Sequence, residues 1–217
     1  MKTSPLATPF ESVDGPQVIL NRRQESKQRT RERVLSAGRE LFAEVGYEAA
    51  TVRDIAKRAG MSTGAVFANF TDKADLFESV TVTQAETLLD AMREAAAVSG
   101  PAEARLASVI RGAYAQWAGN PPLIQAIAAQ SWTNPANDDV RARGAIRALQ
   151  SVLRDVLIAG VEAGELRKNL DVRLASETIW DAMRGGFRRS VADGLGPDAL
   201  AARADAIVAL MVSGLRA

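Results

Sequence analysis

Apolar residues along most of this chain recur every three or four positions, the spacing that places side chains on one face of an α-helix. An early example is the set Val34, Leu41, Phe42 and Val45, which ends at Gly46. No stretch of useful length alternates between apolar and polar residues, as a half-buried strand would. The pattern therefore predicts an all-α protein.

Turn-forming and capping residues divide this pattern into about nine helices. Thr51, Ser62 and Asp72 each precede a predicted helix as candidate N-caps, while glycine and proline mark most of the other breaks. The predicted helices cover residues of about 25–45, 52–59, 63–69, 73–99, 102–118, 122–132, 137–163, 171–193 and 198–215. Before them, proline, serine, threonine and glycine occur without a period, which predicts a flexible N-terminal arm over residues 1–24.

Residues of about 51–70 have the spacing of a helix-turn-helix. Ala56 is small where the second helix crosses the first, and Gly60 permits positive φ in the turn four positions later. Val66, ten positions after Ala56, faces back into the angle between the helices. Around them we expect a small core of Leu41, Phe42, Ile55, Ala59, Met61 and Phe70.

The outward side of the second helix then carries Thr63, Gly64, Phe67 and Asn69. These short or flat side chains suit a DNA major groove, which is about 12 Å wide. The alternative is a tight helical corner of the kind common in all-α proteins. The matched offsets and the two caps favour DNA binding.

Charge supports a nucleic-acid partner through its distribution. The net charge of +1 is uninformative, but six basic and two acidic residues lie between Asn21 and Arg33. Such a run is often a solvated helix face. Directly before a helix-turn-helix, it indicates contact with DNA phosphates.

The composition excludes several kinds of chemistry. The chain has no Cys and no His, which removes thiol nucleophiles, disulfides, Cys/His zinc sites and histidine acid–base catalysis. We therefore expect no cofactor and no metal site. The absence of a long apolar run and of a signal-peptide core predicts a cytoplasmic protein without a membrane span.

The segment between Thr30 and Val80 resembles the DNA-binding domain of the TetR family of bacterial regulators. The matching run is RVLSAGRELFAEVGYEAATVRDIAKRAGMSTGAVFANFTDKADLFESV. The resemblance implies a helix-turn-helix domain over residues 25–72 and an effector-binding and dimerisation domain over residues 73–217. The DNA-binding residues it implies are Arg29, Thr51, Arg53, Ser62, Thr63, Gly64, Ala65, Phe67, Asn69 and Lys73.

One position departs from the family pattern. The residue after Val66 is usually Tyr in that family, with a hydroxyl that meets a phosphate, whereas Phe67 stands here. Phe67 is able to pack on sugar or a thymine methyl but not to donate a hydrogen bond. Asn69 is a candidate to compensate by reading a base edge, since asparagine suits adenine.

The later helices are expected to form a homodimer interface and an effector pocket. The candidates for the interface are Ile179, Met183, Phe187, Ile207, Leu210 and Met211. The candidates for the pocket are Leu88, Met92, Tyr114, Trp117, Leu123, Ile127, Trp132 and Trp180. For both sets, plain core packing within one chain is the alternative.

These features predict a transcriptional regulator whose partners are a double-stranded operator, a small-molecule effector and a second copy of the chain. We expect a repressor, released from a palindromic operator when an apolar or aromatic effector moves the fourth helix. An activator or an architectural DNA-binding protein of the same fold is the alternative.

An enzyme is a less favoured interpretation. Asp138 and Asp139 are adjacent, and Glu162 and Glu165 lie three positions apart, but both carboxylate pairs are expected to face solvent. The sequence has no glycine-rich phosphate loop and no nucleophile with a histidine partner.

Overall fold

The computed structural model describes residues 22–133 and 140–216. Within these ranges the chain forms nine α-helices joined by turns, and one isolated β-bridge pairs Leu166 with Arg216. The helices are α1 (Arg22–Ala49), α2 (Val52–Ala59), α3 (Thr63–Phe67), α4 (Lys73–Ala96), α5 (Ala102–Ala118), α6 (Pro121–Thr133), α7 (Val140–Glu162), α8 (Val172–Ala192) and α9 (Pro197–Ser213). The predicted all-α fold is confirmed.

Three predicted helix boundaries near the start of the chain differ from the structure. α1 begins at Arg22, so the last three residues of the predicted arm are helical; the rest of that arm lies outside the described residues. α1 also continues past residue 45 to Ala49, with Gly46 at a φ of 78° and a ψ of 176° interrupting its last turns. α3 ends at Phe67, two residues before the predicted end.

The three predicted N-caps are present. Thr51, Ser62 and Asp72 each accept a hydrogen bond from the backbone amide three residues ahead. These bonds satisfy amides that a helix leaves without an internal partner. They fix where α2, α3 and α4 begin.

The apolar side chains form two clusters that share α4. The first, which we call the head core, consists of Val34, Ala37, Leu41, Phe42, Ala50, Ile55, Ala56, Ala59, Val66, Phe70, Leu76, Phe77, Val80 and Leu123. The second, the C-terminal core, is built from the second half of α4 together with α5, α7, α8 and α9. One helix therefore runs through both clusters.

α1 and α4 approach each other closely in the head. A Cβ built on Gly38 would lie 2.5 Å from Cδ2 of Leu76, whose side chain is only 1% exposed. Phe77 of α4 packs edge-on against Phe42 of α1, with ring centroids 4.9 Å apart. The absence of a side chain at residue 38 lets the two helices touch.

Among the described helices, none is long and apolar enough to cross a membrane.

Candidate nucleic-acid interface and effector core

The turn between α2 and α3 has the geometry that its residue offsets predict. Gly60 adopts a left-handed conformation with a φ of 65°, and the amide of Met61 donates to the carbonyl of Ala56 over 2.9 Å. Ala56 and Val66 are each 2% exposed and belong to the head core. A left-handed residue closing the helix requires glycine here.

α3 presents one face away from the head core. Ser62, Thr63 and Gly64 are exposed, and Ala65 is half-buried. Phe67 leaves 54% of its surface in solvent, which is unusual for a large aromatic side chain. We call these five residues the α3 surface.

Exposed basic residues occur on the two helices that precede α3. Arg29 and Arg53 are exposed on α1 and α2. An open groove of about 570 Å³ separates the first turns of α1, at Arg23 and Lys27, from the end of α3 at Asn69. Thr51, also exposed, donates from its hydroxyl to Asp54 over 2.6 Å while it caps α2.

Asn69 is turned into the protein. Its side-chain amide donates to the carbonyl of Ala65 over 2.9 Å, and its backbone carbonyl accepts from Arg31 over 2.8 Å. Its Oδ1 is buried without a hydrogen-bond partner among the described residues. α3 therefore ends at Phe67, before Asn69. The side-chain NH₂ of Asn69, a candidate to contact a base edge, is hydrogen-bonded within the chain.

Lys73 is engaged within the chain. Its ammonium donates to the carbonyls of Tyr47 over 2.9 Å and Glu48 over 3.3 Å, and it lies 4.3 Å from the centre of the Tyr47 ring. Burial, with the Glu48 and Asp72 charges, raises the pKa of Tyr47, so the ring meets the cation as a neutral phenol. Lys73 thus ties the end of α1 to the start of α4, and two of its three N–H donors are used for this.

Arg31 joins three elements. It donates to the carbonyl of Asn69 over 2.8 Å and to the hydroxyl of Ser79 on α4 over 3.2 Å, and its guanidinium lies 4.3 Å from the Phe70 ring centre. In the sequence, Arg31 belongs to the basic run between Asn21 and Arg33. Its position three residues before buried Val34, on the same helix face, was the signal for this inward role.

An ionic cluster connects α4 with α7, and the sequence held no signal for it because its partners are more than sixty positions apart. Nε of Arg141 donates to Oε1 of Glu78 over 3.1 Å, and a second nitrogen donates to Oε2 of Glu78 and, over 3.1 Å, to Asp75. Burial raises the pKa of Asp75, but the Thr71 amide and the charges of Arg141 and Arg31 hold it below its ordinary value.

Five of the predicted pocket residues lie together in the C-terminal core. Leu88, Met92, Tyr114, Trp117 and Trp180 are all buried there. The ring centroids of Trp117 lie 6.1 Å from those of Tyr114 and of Trp180. The hydroxyl of Tyr114 donates to the Met183 carbonyl over 2.8 Å, and burial raises the pKa of Tyr114 to about 12.

The other three pocket candidates do not join this group. Leu123 is fully buried in the head core and Ile127 packs against it, so the structure does not bring these two candidates together with the other five, and their place in an effector pocket stays a prediction. The apolar face of α6 pairs with α1, a contact between distant segments that periodicity does not reveal. Trp132 lies in α6, but its side chain is outside the described part of the chain.

The structure buries three of the six predicted interface residues within the single chain. Ile179, Met183 and Phe187 are at most 3% exposed in the C-terminal core, so the single chain offers no surface at these positions, and the interface itself stays a prediction. Ile207 and Met211 are half-buried against the same core, and Leu210 is 73% exposed. On α8, the large apolar side chain that is exposed is Leu174, at 60%, which the helical periodicity did not single out.

The structure describes one of the two carboxylate pairs considered for catalysis. Glu165 accepts a hydrogen bond from the Ala102 amide over 2.6 Å and so closes the start of α5. Asp138 and Asp139 lie outside the described residues. Among those described, no group of three or more potential metal ligands occurs.

Comparison with known proteins agrees with this geometry. The family model for bacterial regulatory proteins of the tetR family matches residues 34–80, which cover the head core from Val34 to Val80. The Fatty acid metabolism regulator protein of Bacillus subtilis is 28% identical over 184 residues, covering 84% of this chain and 93% of that protein. The transcriptional repressor KstR2 of Rhodococcus jostii is 27% identical, covering 71% of this chain and 78% of the repressor.

A solved structure supports the same assignment over nearly its full length. FadR from Bacillus subtilis in complex with stearoyl-CoA superposes with a TM-score of 0.71 and 25% identity, covering 85% of this chain and 99% of FadR. These relatives are regulators and not enzymes. Residues 34–80 therefore match the DNA-binding domain of the TetR family, and the chain as a whole is similar to transcriptional regulators of that family.

Proposed function

We propose that the protein is a homodimeric repressor that binds a palindromic operator through the α3 surface and is released by a long-chain acyl thioester. The observation that carries this proposal is the exposure of Phe67, at 54%, on a short helix whose Val66 is buried in the head core. This exposed aromatic lies on the second helix of the helix-turn-helix, which is the helix that enters the major groove in proteins of this kind.

The α3 surface fits the major groove by its shape. Thr63 and Gly64 let the backbone come close to base edges, and Phe67 supplies an apolar contact for a thymine methyl. Exposed Arg29 and Arg53 are placed to meet phosphates on either side. Lys73 assists by orienting α4 against α1, and its one remaining donor is available for phosphate.

A dimer follows from the size of this surface. One short recognition helix contacts a few base pairs, and a twofold pair reads two half-sites about 34–36 Å apart, or a multiple of that spacing. Leu174 of α8 and Leu210 of α9 are the large exposed apolar residues available to a partner on those helices. We assign the interface to the face that carries them.

The effector is proposed from the relatives and from the chemistry of the C-terminal core. A relative of this chain over nearly its whole length binds stearoyl-CoA, and another is a repressor of the KstR2 type. The buried set of Leu88, Met92, Tyr114, Trp117 and Trp180 supplies apolar and aromatic side chains of the kind that surround an acyl chain in a binding site. Such a ligand releases DNA only if it binds more tightly to the conformation of the protein that does not bind DNA.

The DNA part is tested by selection from a pool of random duplexes, followed by footprinting on the selected sequence. We expect one protected palindrome, with a binding constant that falls steeply as salt rises because phosphate contacts release counterions. Uniform coating of the duplex would instead favour the architectural alternative. Failure to bind any duplex would contradict the proposal.

The effector part is tested by titrating stearoyl-CoA into the protein–duplex complex and following fluorescence anisotropy. We expect release with stearoyl-CoA and none with coenzyme A alone, together with a change in tryptophan emission that Trp117→Phe reduces. Equal release by both compounds would show that the acyl chain is not recognised. Transcription from a promoter carrying the palindrome separates repression from activation.

A further inference from the structure

Two contacts of different chemistry join helices of the C-terminal part to the head. Leu123 of α6 contributes an apolar side chain to the head core. Arg141, in the first turn of α7, reaches the half of α4 that belongs to the head. The apolar contact is not directional, whereas the ionic contact depends on hydrogen-bond geometry and is lost over a small displacement.

Arg141 binds Glu78 through two nitrogens and reaches Asp75 with one of the same nitrogens. Arg141 donates to both carboxylate oxygens of Glu78, and the nitrogen nearest Asp75 lies 3.1 Å from its Oδ1. The second oxygen of Asp75 accepts from the Thr71 amide over 2.8 Å, which fixes that carboxylate at the start of α4. A planar guanidinium is suited to bidentate contacts of this kind.

The two sides of the pair differ in exposure. The side chain of Arg141 is 56% exposed and that of Glu78 is 5% exposed. If α7 moves away, the ion pair breaks: Arg141 regains water, whereas Glu78 loses a charged hydrogen-bond partner at a buried position. Since charged hydrogen bonds to a buried carboxylate are costly to lose, α4 is favoured to follow α7.

The position of α4 is passed on to the end of α3. Ser79, the neighbour of Glu78, accepts a hydrogen bond from Arg31 over 3.2 Å. The same guanidinium donates to the carbonyl of Asn69, two residues beyond α3. One side chain therefore holds α4 and the end of α3 at once.

We propose that Arg141 is a positioning residue that couples α7 to the α3 surface through Glu78, Asp75 and Arg31. The inference rests on the proposed function of the α3 surface in binding DNA. Coupling between two sites is reciprocal. A displacement of α7 therefore changes how the α3 surface meets DNA, and DNA on the α3 surface changes the stability of α7.

The test measures amide hydrogen exchange of the full chain with and without the duplex obtained by selection, so that no effector is needed. In the wild-type protein, we expect the duplex to slow exchange in the first turns of α7 by about fivefold. Arg141→Met should lose this slowing in α7 while peptides from α2 and α3 remain protected, at a duplex concentration that saturates each variant.

The matched control is Arg216→Met. Arg216 also pairs with a glutamate, Glu103, but both residues lie in the C-terminal part away from the head. We expect this variant to keep the wild-type response of α7. A general loss of stability would affect both variants, whereas loss of coupling affects Arg141→Met alone.

Two further variants remove the risk that the loss of Arg141 beside buried Glu78 disturbs folding. The double variant Arg141→Met/Glu78→Gln removes both charges and should also lack the response in α7, since residues in one network act non-additively. Arg141→Lys keeps the charge without the fork and should restore part of the response.

The possible results separate the two proposals. A wild-type response in α7 that persists in Arg141→Met would overturn the coupling role and leave DNA binding intact. Failure of the wild-type protein to bind any duplex would overturn the proposed function, and the coupling role with it. Loss of the response in Arg141→Met with retention in Arg216→Met supports the proposal.

Discussion

Arg31, Arg33 and Lys73 direct their charges to backbone carbonyl groups. Arg33 donates to the carbonyl of Ala59 at the end of α2 over 2.8 Å. A cation at this end of a helix also interacts favourably with the helix dipole. The sequence shows only a basic run at this end of the chain, because long cationic side chains extend either to solvent or along the protein surface. Fewer basic groups therefore face DNA than the sequence count suggests.

The left-handed turn at Gly60 is the most demanding single position in the head. Replacing Gly60 by Ala should lower the free energy of unfolding by about 1–2 kcal/mol, because a side chain is strained at a φ of 65°. Urea unfolding of the free protein measures this change. Gly144→Ala, in α7 with no atom within 4 Å of the added Cβ, is the control and should stabilise by about 0.5–1 kcal/mol. An equal effect of both substitutions would contradict the assigned turn.

The buried hydroxyl of Tyr114 predicts that the free energy of unfolding depends on pH in the alkaline range. Its pKa of about 12 exceeds the ordinary value of 10.0, so the folded state holds this proton to higher pH than the unfolded chain does. The stability that this provides is complete below pH 10 and is lost as the pH rises from 10 toward 12. Tyr114→Phe should flatten this decline in the unfolding free energy, with the remaining slope due in part to Tyr47. An unchanged slope would show that the hydroxyl is not buried.

At the scale of elements, the first four helices were predictable because their signals are local. Thr51, Ser62 and Asp72 cap helices whose starts the sequence located, and Gly60 ends α2. α3 has five residues and is far too short to be stable alone. Its length is set by tertiary contacts to Asn69, and sequence analysis therefore extended it by two residues.

The close crossing of α1 and α4 gives a prediction at this scale. Gly38→Ala should destabilise the protein by about 1–3 kcal/mol, because the added methyl meets the buried Leu76 side chain at 2.5 Å. Thermal or urea unfolding measures the loss. Adding Leu76→Val should recover part of it by making room, whereas a simple sum of the two single losses would show that these residues are not in contact.

For the whole molecule, the sequence showed which faces are apolar but not what covers them. Ile179, Met183 and Phe187 have the spacing of an interface, yet α5, α7 and α9 of the same chain bury them. Leu123 is an apolar residue of the kind that lines pockets, yet it packs in the head core. Helical periodicity does not distinguish a neighbour within the chain from a second copy or a ligand.

The reassigned dimer face predicts a change in oligomeric state. Leu210→Asp places a charge on an apolar side chain that is 73% exposed in the single chain and buried in the proposed dimer. We expect sedimentation velocity to show dissociation into monomers, with loss of operator affinity. Val98→Asp, at a 43% exposed position beyond the end of α4, should leave the dimer intact. A Leu210→Asp protein that remains dimeric would place the interface elsewhere.

DNA binding by the α3 surface is tested most directly by comparing two variants, Thr63→Ala and Thr87→Ala. The measured quantity is the dissociation constant of each variant for the selected duplex. Both threonines are exposed and on helices, but Thr63 lies on the α3 surface and Thr87 on α4 away from it. We predict that Thr63→Ala weakens binding by roughly tenfold, the size of one lost base or phosphate contact, while Thr87→Ala matches the wild-type protein. Equal affinities of the two variants would contradict the assignment of DNA binding to this surface.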